Sequence, residues 1–163
     1  MRRKIAVYPG SFDPVTNGHM DIIRRASGIF SEIAVAVLVN PHKTALFDRA
    51  ERMDMLQRAV TPWPNVRVDA FSGLLVDYMR ANGITVAIRG LRAVSDLEYE
   101  FQLAHTNRIL YPEMETVFLM PGENYVYLTS STVREVASLG GSLDSCVPAH
   151  VAQALKNKFA KCY

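Results

Sequence analysis

The sequence predicts an open, parallel α/β sheet of five strands with helices on both faces, on three observations. Short, apolar, β-branched runs recur along the chain, and a segment of helical period follows each of them. The second run is nearly continuous in Ala, Val and Leu, without the alternation of a half-solvated strand, as a strand covered on both faces requires.

The elements follow in order. "KIAVY" (4–8) reads as the first strand, and "GHMDIIRRASGIF" (18–30) as the first helix. "EIAVAVLV" (32–39) is the buried second strand. The helix "DRAERMDMLQRAV" (48–60) opens on Asp48 and Glu51 at capping-box spacing. "TPWPN" (61–65) is a helix-to-strand turn, "NVRVDAF" (65–71) the third strand, and "LLVDYMRANG" (74–83) a helix that stops at Gly83. "ITVAIRG" (84–90) is the fourth strand. "SDLEYEFQLAHTNRIL" (95–110), with Ser95 and Glu98 again at capping spacing, is the longest helix. After the fifth strand "ETVFLMP" (115–121) come "SSTVREVASLG", stopped by Gly140, and "PAHVAQALKNKFAK", started by Pro148. The alternation demands right-handed crossovers, hence a Rossmann-like sheet whose ligands sit beyond the carboxyl ends of the strands where strand order reverses.

Length and composition narrow the function. At 163 residues, 49% hydrophobic and 21% charged, the whole chain reads as one soluble globular domain, with no apolar stretch near the roughly 18 residues of a membrane span. The basic start is followed by too short an apolar run for an export signal, which points to the cytoplasm. Cys146 and Cys162 have neither zinc-site nor redox-pair spacing and read as reduced thiols. A net charge of +2, without a basic cluster interleaved with aromatics, gives no support to nucleic-acid binding.

The chemistry gathers in the loops after the strands. "YPGSFDPVTNGHM" (8–20) is a long first strand-to-helix connection ending at a helix start, where unpaired N–H groups and partial positive charge suit phosphate. Its glycine spacing is not G-x-G-x-x-G and it lacks the P-loop lysine, which weakens the dinucleotide and P-loop readings. Thr16-Asn17-Gly18-His19 forms a T-x-G-H pattern, and these four residues alone are equally those of a turn-rich loop with a histidine capping a helix. Arg89 and Arg92 flank Gly90 at the end of the fourth strand, where two cations call for anions.

T-x-G-H after "GSFDP" resembles the (H/T)-x-G-H signature of the nucleotidylyltransferase superfamily, and Leu128-Thr129-Ser130-Ser131-Thr132-Val133-Arg134 resembles its second, I-S-S/T-T-x-x-R, signature. "IRGLRAVSDLEYEFQLAHTNR" (88–108), with "NPHK" and "VFLMP", extends the resemblance end to end, to the bacterial phosphopantetheine adenylyltransferase family. Members of that family make dephospho-coenzyme A and pyrophosphate reversibly from ATP and 4'-phosphopantetheine, as magnesium-assisted homohexamers. The resemblance also brings coenzyme A into view as a feedback inhibitor, on which the residues themselves are silent.

The resemblance implies roles residue by residue. His19 donates to the α-phosphate as charge develops, and Lys43 bridges the reacting phosphates. Ser11 and Phe12 meet the phosphates, with the Ser11 hydroxyl touching both substrates. Gly90, Leu91, Arg92 and Glu100 contact ATP, and Tyr125, Val126, Tyr127, Leu128, Thr129, Ser130 and Ser131 close around adenine and triphosphate; many relatives carry tryptophan where Tyr125 stands. Arg89 holds the phosphate of phosphopantetheine, and Leu75 touches its pantetheine arm. His42 reads as a loop residue, and His105 and His150 as helix-surface or packing residues. No acidic or histidine cluster has metal-ligand spacing, so magnesium is expected to arrive with ATP and keep its waters. Two rivals remain: adenylyl or cytidylyl transfer to another phosphorylated acceptor, and a nucleotide-binding module without turnover.

Overall fold

A computed structural model describes residues 4–40, 42, 44–92 and 94–160, with the side chains of 94 and 95 set aside. Five parallel strands form one sheet: β1 (Ile5–Gly10), β2 (Glu32–Leu38), β3 (Val66–Phe71), β4 (Val86–Gly90) and β5 (Glu115–Leu119), in the order β3-β2-β1-β4-β5. Between and after them lie α1 (Asn17–Ser27), α2 (Arg49–Val60), α3 (Leu75–Ala81), α4 (Val94–Leu110), a 3-10 turn (Glu123–Tyr125), α5 (Ser130–Ser138) and α6 (Ala149–Ala160).

β2 explains the two layers. Its Ile33, Val35 and Val37 face a core shared with Ile22 and Ile23 of α1, Leu56 of α2, Val133 of α5 and Leu155 of α6. The alternate residues, Ala34 and Ala36, face a second cluster with Val76 and Met79 of α3, and with Tyr111 and Met114. Bulky β-branched side chains thus face the thicker helical layer, and alanines let the thinner layer approach.

The strand order reverses between β1 and β4, and the two separate there. They pair only at Ala6–Val86 and Val7–Ala87, whereas β1 stays paired with β2 through Gly10. The first strand therefore runs through Pro9 and Gly10, past the expected end at Tyr8. Pro9 has no N–H for a ladder, and its place next to the gap between β1 and β4 makes that tolerable. The gap opens the cleft described next.

Helix boundaries match the sequence expectation within a few residues. Gly83 and Gly140 take positive φ of 63° and 74° where helices end. The fifth strand stops at Leu119, short of Met120 and Pro121, and α4 is already helical at Val94, so Ser95 falls inside its first turn.

Candidate active site

A cleft of about 540 Å³ lies beyond the carboxyl ends of β1 and β4. Its floor is built by the connection from β1 to α1. Phe12 is buried and takes a positive φ of 46°, a region that costs a bulky L-residue on the order of 1 kcal/mol or more. That turn lays its ring between Tyr8, 5.5 Å away edge to face, and His19, 5.1 Å away. Gly10 is required beneath it, since a Cβ there would lie 3.0 Å from the Phe12 ring.

α1 opens with a reciprocal cap. The His19 amide donates to Thr16 Oγ1 at 3.4 Å, and the Thr16 amide donates to His19 Nδ1 at 3.0 Å. An Nδ1 that accepts an N–H cannot carry a proton, so the neutral ring holds its hydrogen on Nε2. Burial, reinforced by the charge of Arg92, lowers the His19 pKa from 6.5 to about 4. At neutral pH His19 is thus an uncharged, oriented N–H donor lining the cleft. The cap engages one nitrogen of this histidine and leaves the other without a hydrogen-bond partner among the described residues, in a ring that lines the cleft.

The opposite wall comes from the segment after β5 and the start of α5. Thr129 caps α5 by accepting from the Thr132 amide at 3.0 Å, and Ser130 Oγ donates to Pro14 O at 2.8 Å, tying this helix to the first loop. Neither α1 nor α5 carries an acidic residue in its first turn, so both positive helix ends face the cleft without a carboxylate of their own.

Cations line it. Arg89 is clasped by Glu100, at 2.8 Å from Nε and 2.6 Å from Nη2, and its remaining nitrogen approaches Pro9 O at 3.4 Å. Burial lowers the Arg89 pKa, but Glu100 outweighs this and the net shift is upward. Arg92 pairs with Asp96 at 3.6 Å. The anions that two strand-end arginines call for are therefore supplied in part by α4, a pairing across eleven residues that periodicity does not reveal.

Of the anticipated residues, Ser11, Phe12, His19, Arg89, Gly90, Arg92 and Glu100 line this one cleft from the β1 and β4 ends. Tyr125, Leu128, Thr129, Ser130 and Ser131 line it from the β5 side. A Cβ on Gly90 would lie 2.7 Å from Ile22 Cδ1 of α1, so any larger residue there would push the end of that side chain aside. Leu91, Val126 and Tyr127 are not among the lining residues, and Tyr127 is 86% exposed. Leu75 packs at the edge of the second core cluster instead, away from the cleft lining. Lys43 lies outside the described residues, as does Cys162.

The sequence assigns no role to Asp13 or Arg52, and both line the cleft. Asp13, buried, accepts from the Leu46 and Phe47 amides at 2.9 Å each and meets Arg134 Nη1 at 3.4 Å, joining the first loop, the loop after β2 and α5. Arg134 closes the second signature, which marked it; Asp13 looked like one more turn former. Arg52, on α2, gave no signal, since a helix arginine beside an acidic cap reads as solvated. His150 Nε2–H donates to Met55 O, 2.9 Å away, and His42 and His105 are exposed.

Comparison with known proteins fits this geometry. Residues 7–136 match the cytidylyltransferase-like family. A phosphopantetheine adenylyltransferase from Dictyoglomus thermophilum is 57% identical, over 94% of each chain. Those of Geobacter metallireducens and Alkaliphilus metalliredigens are 55% identical over 99% of each chain, and 52% identical over 95% of this chain and 99% of the relative. The crystal structure of a putative nicotinate-nucleotide adenylyltransferase from Vibrio parahaemolyticus superposes with a TM-score of 0.70 at 15% identity, covering 95% of this chain and 93% of that one, which speaks for the fold. With its two signatures brought to one cleft and nearly its whole length matched, the chain belongs to the phosphopantetheine adenylyltransferases of the cytidylyltransferase-like family.

Proposed function

We propose that this protein transfers AMP from ATP to 4'-phosphopantetheine, giving dephospho-coenzyme A and pyrophosphate. The observation that carries the reading is the neutral His19, fixed with its hydrogen on Nε2, lining a cleft that two helix N-termini face. A phosphate oxygen of the acceptor attacks the α-phosphorus in line; its new P–O bond forms as the bond to the bridging α–β oxygen breaks, and that electron pair leaves with pyrophosphate. The acceptor phosphate is already an anion at neutral pH, so no general base and no covalent intermediate is needed. His19 Nε2–H stabilises charge on the transferring group, Lys43 bridges the reacting phosphates, and the α5 start with Arg92 holds the triphosphate.

Magnesium enters with the triphosphate as part of the substrate. The chemistry of the donor set supports this: among the described residues no group of three His, Cys, Asp or Glu is placed to hold a metal, and the two carboxylates of the cleft, Asp13 and Glu100, are taken up by amides and guanidinium groups. Coenzyme A, which shares the pantetheine arm, acts at this site as a feedback inhibitor. Self-assembly into a homohexamer is supported by α4, which exposes Tyr99, Phe101 and Ile109 at 63%, 52% and 67% and so leaves apolar surface that a second copy would cover. The cytoplasm is the compartment for such a biosynthetic step. No helix among the described residues is long and apolar enough to cross a membrane.

Incubation with ATP and magnesium plus either 4'-phosphopantetheine or nicotinate mononucleotide tests the reading. Dephospho-coenzyme A and pyrophosphate in equal amounts, with no product from the mononucleotide, is the expected result. Product from the mononucleotide alone would overturn it.

A further inference from the structure

Four arginines line the cleft, and three have carboxylate partners: Arg89 with Glu100 at 2.6 Å, Arg92 with Asp96 at 3.6 Å and Arg134 with Asp13 at 3.4 Å. Arg52 is the most deeply enclosed of the four, at 6% exposure, yet among the described residues no carboxylate pairs with it. Its Nη1 donates to Ser11 O at 2.9 Å and Leu38 O at 3.3 Å, and its Nε to Asp48 O at 3.3 Å. Carbonyl dipoles solvate a guanidinium without neutralising it, and an enclosed, uncompensated cation is unfavourable. Among the described residues, no buried side-chain nitrogen lacks a hydrogen-bond partner, so Nη2, which donates to nothing, is the edge left open at the cleft wall.

We propose that Arg52 is a further anion-binding residue of the cleft, its free guanidinium edge meeting the phosphate of the acceptor while its bonded edge fixes the Ser11 turn. Its position favours the acceptor over the triphosphate. Arg52 ties the end of β2 to the Ser11 turn, on the flank that carries Asn40 and Thr44, whereas Arg92 turns to α4 and to Leu128 O in the segment before α5. An anion there completes the one cleft arginine that the described residues leave without a carboxylate partner. The proposal rests on the adenylyl-transfer reading for the identity of that anion.

Calorimetric titration of the full chain with 4'-phosphopantetheine, pantetheine and ATP tests it in wild type, Arg52→Gln and Arg52→Lys. The ratio of pantetheine to phosphopantetheine Kd isolates the phosphate, and a loss of fold would not selectively move it. We expect this ratio to fall at least tenfold in Arg52→Gln, with ATP Kd within twofold and most of the ratio restored by lysine. An unchanged ratio, even with both ligands weakened, would reduce Arg52 to a structural role. If Arg52→Gln does not fold, the wild-type guanidinium NMR signals decide: those of Arg52 should move with phosphopantetheine and stay still with pantetheine, and no movement overturns the proposal. Wild type that binds but makes no dephospho-coenzyme A strikes the transfer reading instead. Inorganic pyrophosphate then serves as titrant, with the same tenfold loss expected in Arg52→Gln and its absence counting against the site.

Discussion

Two helices of this protein begin with the same device and use it differently. At α2 the Asp48 amide donates to Glu51 Oε2 and the Glu51 amide to Asp48 Oδ1, both at 2.8 Å, and Glu51 also meets Lys158 at 2.8 Å. At α1 the partners are Thr16 and His19. Glu51 fills the positive end of its helix with a charge, which stabilises the fold and leaves nothing for a ligand. His19 closes the same ring of hydrogen bonds with a neutral group that has a second nitrogen. The cap thereby becomes an orienting device, and the positive end of α1 stays available to phosphate.

The largest effect should come from making α1 resemble an ordinary cap. His19→Gln keeps a side-chain oxygen able to accept from the Thr16 amide but replaces the rigid ring Nε2–H with a flexible amide N–H that no ring aims at the cleft. We expect kcat to fall by 10² to 10³, about 3–4 kcal/mol, with ATP Kd and melting temperature nearly unchanged. Comparable losses in kcat and ATP affinity would separate His19 from the transition state.

The next effect is on stability against pH. Folding holds the His19 pKa at about 4, below its ordinary 6.5, so its neutral form is fully accommodated above pH 6.5 and the protein is destabilised as pH falls from 6.5 toward 4. Allowing for the part of the ring that meets solvent, this amounts to about 2 kcal/mol. Urea unfolding at pH 7 and pH 4.5 should show this loss in wild type and a smaller one in His19→Gln; equal losses would place the titration elsewhere.

Thr16→Ala removes the Oγ1 acceptor but keeps the amide that fixes Nδ1. A stability loss of about 1 kcal/mol is expected, with less than a tenfold fall in kcat. A fall as large as that of His19→Gln would give the hydroxyl a catalytic contact. The smallest effect on function should come at α2: Glu51→Gln keeps the hydrogen bond and weakens only the charge interactions, lowering stability by about 1 kcal/mol or less with kcat and KM within twofold. A change in activity beyond that would show that the α2 cap also serves the site.

The same contrast explains what could be read from the chain. The α2 cap is legible as a local spacing, the α1 histidine as a helix cap and β2 as a continuous apolar run, because each depends on residues within one turn or one strand. The clasp of Arg89 by Glu100 is not, since it joins a strand end to a helix that returns over it; Arg89 by itself calls for an anion, while Glu100 reads as a solvated helix carboxylate and is a ligand contact only by resemblance. Arg52 was hidden for the converse reason: its helical neighbours look solvated, and only the packing of α2 against the ends of β1 and β2 encloses it. Leu75 carried an expectation from resemblance, and the structure sets it against the second core cluster, away from the cleft lining. Asp13 shows the limit most clearly, because its three partners come from two segments more than thirty residues away.

The proposed role of His19 turns on the state of one imidazole, and nitrogen-15 NMR of histidine-labelled protein measures it directly. Titrated from pH 8 to pH 5, His19 should show Nδ1 as the unprotonated, pyridine-like nitrogen and Nε2 as the protonated one throughout. A ring protonated on Nδ1, or one that becomes charged near pH 6.5, would contradict the claim that the α1 cap holds a neutral Nε2–H donor for the transferring phosphate.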